Sequence, residues 1–182
     1  MKKLIAISAM TLMLSTCGVS SQAYVKKEIA TQEQQVEVDS GFLDLIIEIK
    51  EEQATKLRIS QIHQRILELY PYVDNTWYVF SGSTPEGWDC SGLVMWFYSK
   101  FDVELEHSAT AQMFSGKRFE ERMPGDIISF SHDGSDMAFH NGIYIGSGLF
   151  IHSPRTGEKT RLSSVDEYMD GNPKVTYTRI DF

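Results

Sequence analysis

Two strand-like runs, Asn141-Gly142-Ile143-Tyr144-Ile145 and Leu149-Phe150-Ile151-His152-Ser153, flank Gly146-Ser147-Gly148, and this stretch limits the fold of the chain more tightly than any other. β-Branched and aromatic runs on either side of a short glycine loop predict an antiparallel hairpin. With a three-residue loop, Ile145 stands opposite Leu149, Ile143 opposite Ile151 and Gly142 opposite His152, so the aliphatic side chains share one face. His140 then falls on the other face beside His152, within the roughly 7–8 Å reach of diagonal cross-strand neighbours, and Gly142 leaves the space between the two rings open. A two-residue loop would put the histidines on opposite faces and scatter the aliphatic residues. Either histidine alone reads as a structural one; the pair on one face beside a glycine reads as chemistry.

Around the hairpin the pattern is mixed. Apolar residues at Phe42, Leu45, Ile46 and Ile49 have helical spacing over 42–56, and Ile59, Ile62, Ile66 and Leu69 repeat it up to Pro71, as two helices or one. The first is expected to pack on the domain surface. Trp77–Phe80, Asp126–Phe130 and Val175–Ile180 read as strands, and Leu93–Tyr98 as a buried helix. The fold class is therefore α+β, with helices on a small antiparallel sheet and no internal repeat.

Met1-Lys2-Lys3 followed by the apolar Leu4–Leu14 has the make-up of an export signal and is too short to span a bilayer. Cleavage after Ala23, behind Ser21-Gln22-Ala23, is favoured over lipidation of Cys17 in Leu14-Ser15-Thr16-Cys17, where Thr16 is an unusual neighbour for a lipidated cysteine. The expected organisation is a signal peptide over 1–23, a Gln- and Glu-rich flexible spacer over 24–40, an additional helix over 41–58 and one compact domain over 59–182. The whole chain carries 17 Lys and Arg against 25 Asp and Glu; without Lys2 and Lys3 the balance falls from -8 to -10. Such a surface disfavours nucleic acid and anionic lipid, so the only membrane contact expected is through a lipid on Cys17. A monomer is expected.

Cys90 is the one cysteine that remains after export, and an exported domain with an unpaired thiol has not used it in an internal disulfide. It stands in Trp88-Asp89-Cys90-Ser91-Gly92, with Asp89 as N-cap of the following helix. Backbone N–H groups and the helix dipole at that position are expected to favour the thiolate. A cysteine nucleophile needs a base, and the base a third group to orient it; Cys90, His140 and His152 fill those roles in that order. The Cys90 N–H and the hydroxyl of Tyr78 are candidate oxyanion donors, although Tyr78 would serve equally as a core aromatic. His107 and His132 read as surface residues and His63 as partly buried. They make no convincing zinc set with one thiolate, and no cofactor is signalled.

Trp77-Tyr78-Val79-Phe80-Ser81-Gly82, Gly87-Trp88-Asp89-Cys90-Ser91-Gly92-Leu93-Val94, Pro124-Gly125-Asp126-Ile127, His140-Asn141-Gly142-Ile143-Tyr144-Ile145-Gly146 and Phe150-Ile151-His152-Ser153-Pro154 together resemble the NlpC-type cell-wall peptidases, in order and spacing. The resemblance runs from about Ile59 to Tyr168. It implies a papain-like fold with the nucleophile at a helix N-terminus, and hydrolysis of peptidoglycan stem peptides, typically between γ-D-glutamate and a diamino acid. By position it implies Cys90 as nucleophile, His140 as base, His152 as orienting residue and Tyr78 at the oxyanion, with Asp89 and Ser91 close enough to touch substrate. Two departures stand out: Leu105-Glu106-His107-Ser108 replaces the Leu-Pro-Arg-Thr of many relatives, and Ser81 stands where glycine is usual.

Amidase or acyl-transfer chemistry with the same Cys-His geometry is the first alternative function. A non-catalytic envelope-binding protein, docking through residues 42–58, is the second.

Overall fold

A computed structural model describes residues 40–132, 135–169 and 173–182. The expected signal peptide, Cys17 and all of the expected spacer except Ser40 lie outside the described residues. The chain divides into two compact units, Met1–Ile47 and Glu48–Phe182. Of the first, the described part is the start of helix α1 (Ser40–Leu69), where Phe42, Leu43, Leu45 and Ile47 are exposed. None of the described helices is long and apolar enough to cross a membrane.

The two helical patterns are therefore one helix. It stops where Tyr70-Pro71-Tyr72 tightens into a 3₁₀ turn, because proline offers no N–H to continue the ladder. In the second unit Ile62, Ile66 and Leu69, spaced i, i+4 and i+7, form its buried stripe. His63 lies one residue off that stripe and is exposed, not partly buried as expected.

Next come a small hairpin of β1 (Ser83–Thr84) and β2 (Gly87–Trp88), helix α2 (Cys90–Ser99), the short helix α3 (Ala109–Met113) and strands β3 (Lys117–Phe119), β4 (Ile127–Ser131), β5 (Ala138–Gly146), β6 (Leu149–His152) and β7 (Arg161–Ser164). A turn of helix, α4 (Val165–Tyr168), and strand β8 (Lys174–Arg179) complete the chain. Six strands form one antiparallel sheet in the order β3-β8-β4-β5-β6-β7. The α+β class holds. Trp77–Phe80 does not form the expected strand: Trp77 and Tyr78 make only single bridges, to Lys159 and Trp88.

Alternation along the strands sorts the core into two clusters. Ile127, Ile143 and Ile151 join Leu93, Val94, Phe97 and Tyr98 of α2 and the buried stripe of α1. Ile128, Phe130, Tyr144 and Phe150 pack with Val165 in the second. His140 and His152 belong to this second face.

The central hairpin reaches the expected facing by another route. Ile143 pairs with Ile151, as expected, but Gly146 and not Ile145 pairs with Leu149, and the register shifts between Tyr144 and Gly146. The loop has two residues, Ser147 (φ 52°) and Gly148 (φ 75°), both left-handed as a primed two-residue turn requires. The extra residue at Ile145 is a β-bulge, and it restores the parity that a two-residue loop alone would have lost.

Candidate active site

Cys90 begins α2, and its position is fixed from both sides. Asp89 is the N-cap, in extended conformation (φ -90°, ψ -173°), and its carboxylate accepts the Gly92 N–H. A side chain at Gly92 would collide with the Gly82 carbonyl, so only glycine lets the helix start this close to the β1–β2 hairpin. Trp88, fully buried, anchors the turn: its indole donates to Thr160 Oγ1 (2.7 Å), and its carbonyl accepts from Val79 N–H and Ser153 Oγ.

The Asp89 carboxylate takes four donors. Gly92 N–H (2.8 Å), Ser91 Oγ (2.9 Å) and His107 Nε2 (2.9 Å) reach Oδ1, and Ser81 N–H (3.0 Å) reaches Oδ2. Burial opposes its ionisation, but the Gly92 N–H, His107 and Ser91 outweigh it and hold the carboxyl below its usual range. Asp89 and Ser91 thus use their polar atoms first on each other and on the helix turn. Ser81 adopts a left-handed φ of 57°, a conformation that favours glycine.

His107 is the residue the sequence reading missed here. Its side chain is 29% exposed, yet it touches the residue next to Cys90. The departure expected at Leu105-Glu106-His107-Ser108 was a usable signal.

β5, which carries His140, packs against α2. The backbone N–H of Asn141 points at the Cys90 sulfur, placing the thiol beside the His140–Asn141 peptide. Below it, Gln112 Nε2 donates to the carbonyls of Ser91 (3.0 Å) and Glu106 (2.7 Å), and Asn141 Nδ2 donates to Gln112 Oε1. These amides tie α2, the 105–108 rim and β5 together.

His140 and His152 meet as their shared face requires. His140 Nε2 lies 2.6 Å from His152 Nδ1, with the rings at 82° to each other. Gly142 makes room: a Cβ there would lie 2.9 Å from the His152 Cβ and 2.6 Å from the Ile151 carbonyl. Beyond the pair, Ser163 Oγ is 2.9 Å and Arg161 Nε 3.5 Å from His152 Nε2. Tyr168, from α4, stacks on His140 and meets His152 edge-on, while Phe130 and Phe150 complete the wall. Ser163, Arg161 and Tyr168 carry no motif of their own; the pairing of β6 with β7 brings the first two here, and α4 brings Tyr168.

The electrostatics of the free site differ from the expected thiolate. Burial pushes the Cys90 thiol up, and the Asp89 charge adds to this; the N–H groups of Asn141, Ser91 and Cys90 itself pull the other way and lose. The helix terminus acts in the expected direction and is outweighed. Burial likewise pushes His140 down to about 4, helped by the Arg161 charge, and pushes His152 down, helped by His140 and Arg161. Burial thus favours the neutral form of both the thiol and the imidazole.

Tyr78 is half-buried near the same sulfur. Burial raises its phenol, and the charges of Cys90 and Asp89 add to the effect, so its hydroxyl stays a donor. Among the described residues it has no hydrogen-bond partner. His132 is exposed and stacks on Phe139, and no group of three or more metal-ligating side chains occurs among the described residues.

Residues 75–178 match the model of the NlpC/P60 family. The chain belongs to the NlpC/P60 family. It is 33% identical to the murein DD-endopeptidase MepH of Escherichia coli over 135 residues, covering 70% of this chain and 46% of that protein. It is 42% identical to the gamma-DL-glutamyl hydrolase of Bacillus subtilis over 94 residues, covering 50% of this chain and 22% of that protein. The fold is similar to the NlpC/p60 domain of the peptidoglycan hydrolase SagA, with a TM-score of 0.55, 26% identity, and coverage of 63% of this chain and 96% of that one. The chain spans less than half the length of the two curated relatives. Family membership brings the papain-like α+β fold seen here.

Proposed function

We propose that this NlpC/P60 chain is an exported cysteine endopeptidase that cuts peptidoglycan stem peptides, between γ-linked D-glutamate and a diamino acid, through an acyl-enzyme. The observation that carries the reading is the buried His140–His152 pair, with His140 on the strand whose Asn141 N–H acts on the thiol that opens α2. One relative is named a murein DD-endopeptidase and the other a gamma-DL-glutamyl hydrolase, and these names support a peptidoglycan substrate. Export rests on residues 1–23.

The roles follow from which atoms are free. His140 Nε2 is engaged with His152, so Nδ1 is the nitrogen left to take a proton. As the Cys90 sulfur attacks the carbonyl carbon, its proton passes to His140 Nδ1 and the carbonyl electron pair moves to oxygen. The Cys90 N–H and the Tyr78 hydroxyl hold that oxyanion. The intermediate then expels the amine, which takes the proton from His140 and leaves a thioester. Water, deprotonated by His140, hydrolyses the thioester and frees the thiol. Asp89 places a fixed negative charge one residue from the sulfur, favourable to a substrate amine nearby, while its oxygens and the Ser91 hydroxyl stay hydrogen-bonded to each other and to the helix turn.

The test is incubation of the full chain with purified peptidoglycan and mass analysis of the soluble products. Fragments ending in D-glutamate, with a new amine on the diamino acid, are expected. Products cut only at the cross-links would move the bond, and an absence of fragments from folded protein would overturn the reading.

A further inference from the structure

Ser163 has no part in the roles assigned so far, yet it touches the far end of the histidine pair. We infer that Ser163 is a positioning residue: by accepting the His152 Nε2–H it holds both rings in the tautomers that leave His140 Nδ1 free to act as the base. The inference rests on the proposed role of His140.

The 2.6 Å bond between His140 Nε2 and His152 Nδ1 carries one proton, and two arrangements are open to the neutral pair. With the proton on His140 Nε2, His140 Nδ1 has a lone pair and His152 carries its own proton on Nε2. With the proton on His152 Nδ1, His140 must carry one on Nδ1, and it cannot accept from the thiol. The choice between them is made at His152 Nε2. Two groups address that nitrogen among the described residues. Arg161 can only donate, so it favours the second arrangement. Ser163 Oγ, a hydroxyl that can donate or accept, is the one of the two able to accept an Nε2–H, and at 2.9 Å against 3.5 Å it is the closer. His152 is fully buried, so an N–H there without an acceptor would be a costly orphan.

The placement is a product of register. Phe150 pairs with Ser163 and His152 with Arg161, so alternation puts all four side chains on the face that holds the histidines. Glu158 Oε2, 3.0 Å from Arg161 Nη1, holds the guanidinium at that edge.

The test compares Ser163→Thr with Ser163→Val, which share a shape and differ by the hydroxyl, using the full chain labelled with ¹⁵N-histidine. Long-range ¹H–¹⁵N spectra are expected to show Nε2–H on both rings in the wild type and the threonine variant. In the valine variant His140 is expected as the Nδ1–H tautomer, with kcat on peptidoglycan down by about 10²-fold, the scale of a general base, and KM little changed. Adding Arg161→Gln, whose amide oxygen can accept, is expected to restore the first tautomer to the valine variant. An Nδ1–H tautomer of His152 in the wild type, or unchanged tautomers in the valine variant, would overturn the inference. The spectra do not depend on turnover: the expected tautomers in a protein that releases nothing from peptidoglycan would uphold the positioning role and reject the proposed function.

Discussion

His107 Nε2 and Asp89 Oδ1 are hydrogen-bonded at 2.9 Å, so the 105–108 rim is tied directly to the residue that caps the helix of Cys90. The contact joins a partly exposed histidine to a buried carboxylate. His107→Ala is expected to cost about 1 kcal/mol, less than a fully buried hydrogen bond to a charged group because the site is partly exposed. His107→Gln, able to donate from its amide, is expected to recover most of it. Urea denaturation of the three proteins measures both, and equal midpoints would show that the contact adds nothing.

Gly142 is required for the histidine pair to close. A methyl group at 142 must push against the Ile151 carbonyl and the His152 Cβ, both within 3 Å. Gly142→Ala is expected to destabilise the protein by about 2 kcal/mol, as overpacking does, and to lower turnover beyond what the stability loss explains. Thermal melts and kcat, measured well below the melting point, separate the two effects.

The two histidines give stability a definite dependence on pH. His140 is held near 4 in the fold, while an unfolded histidine titrates near 6.5. Above 6.5 both states are neutral and the contribution is complete. As pH falls from about 6.5 to 4 the unfolded chain binds a proton that the fold refuses, and stability is lost; His152, pushed down as well, adds to the loss. Denaturation midpoints across this range should fall steadily in the wild type and less steeply in a His140→Gln variant. A flat wild-type profile would contradict neutral burial of the pair.

Thiol reactivity should show the same neutral resting state. With burial and Asp89 holding the Cys90 thiol up, alkylation by iodoacetamide is expected to be slow at pH 6 and to rise through pH 9. A plateau of high reactivity beginning near pH 5 would indicate a preformed thiolate–imidazolium pair instead.

Much of the site was legible in sequence because it is written in short-range patterns. Asp89 before an apolar run marked the start of α2, and the alternation around Gly146-Ser147-Gly148 put His140 and His152 on one face. The loop length was misread, since a bulge at Ile145 and a two-residue turn give the same parity as the expected three-residue loop. What long-range pairing supplies was not legible. Ser163 and Tyr168 reach the histidines only through β7 and α4, and His107 reaches Asp89 across the turn between α2 and α3. The direction of the Cys90 shift was also hidden, because a helix terminus is visible in a sequence and the depth of burial around it is not.

The central claim is that the Cys90 sulfur performs the cut. The direct test is fragment release from purified peptidoglycan by the wild type and by Cys90→Ala, with circular dichroism to show that both are folded. The account predicts release by the wild type and none above background from the variant. Equal release by a folded Cys90→Ala protein would contradict it.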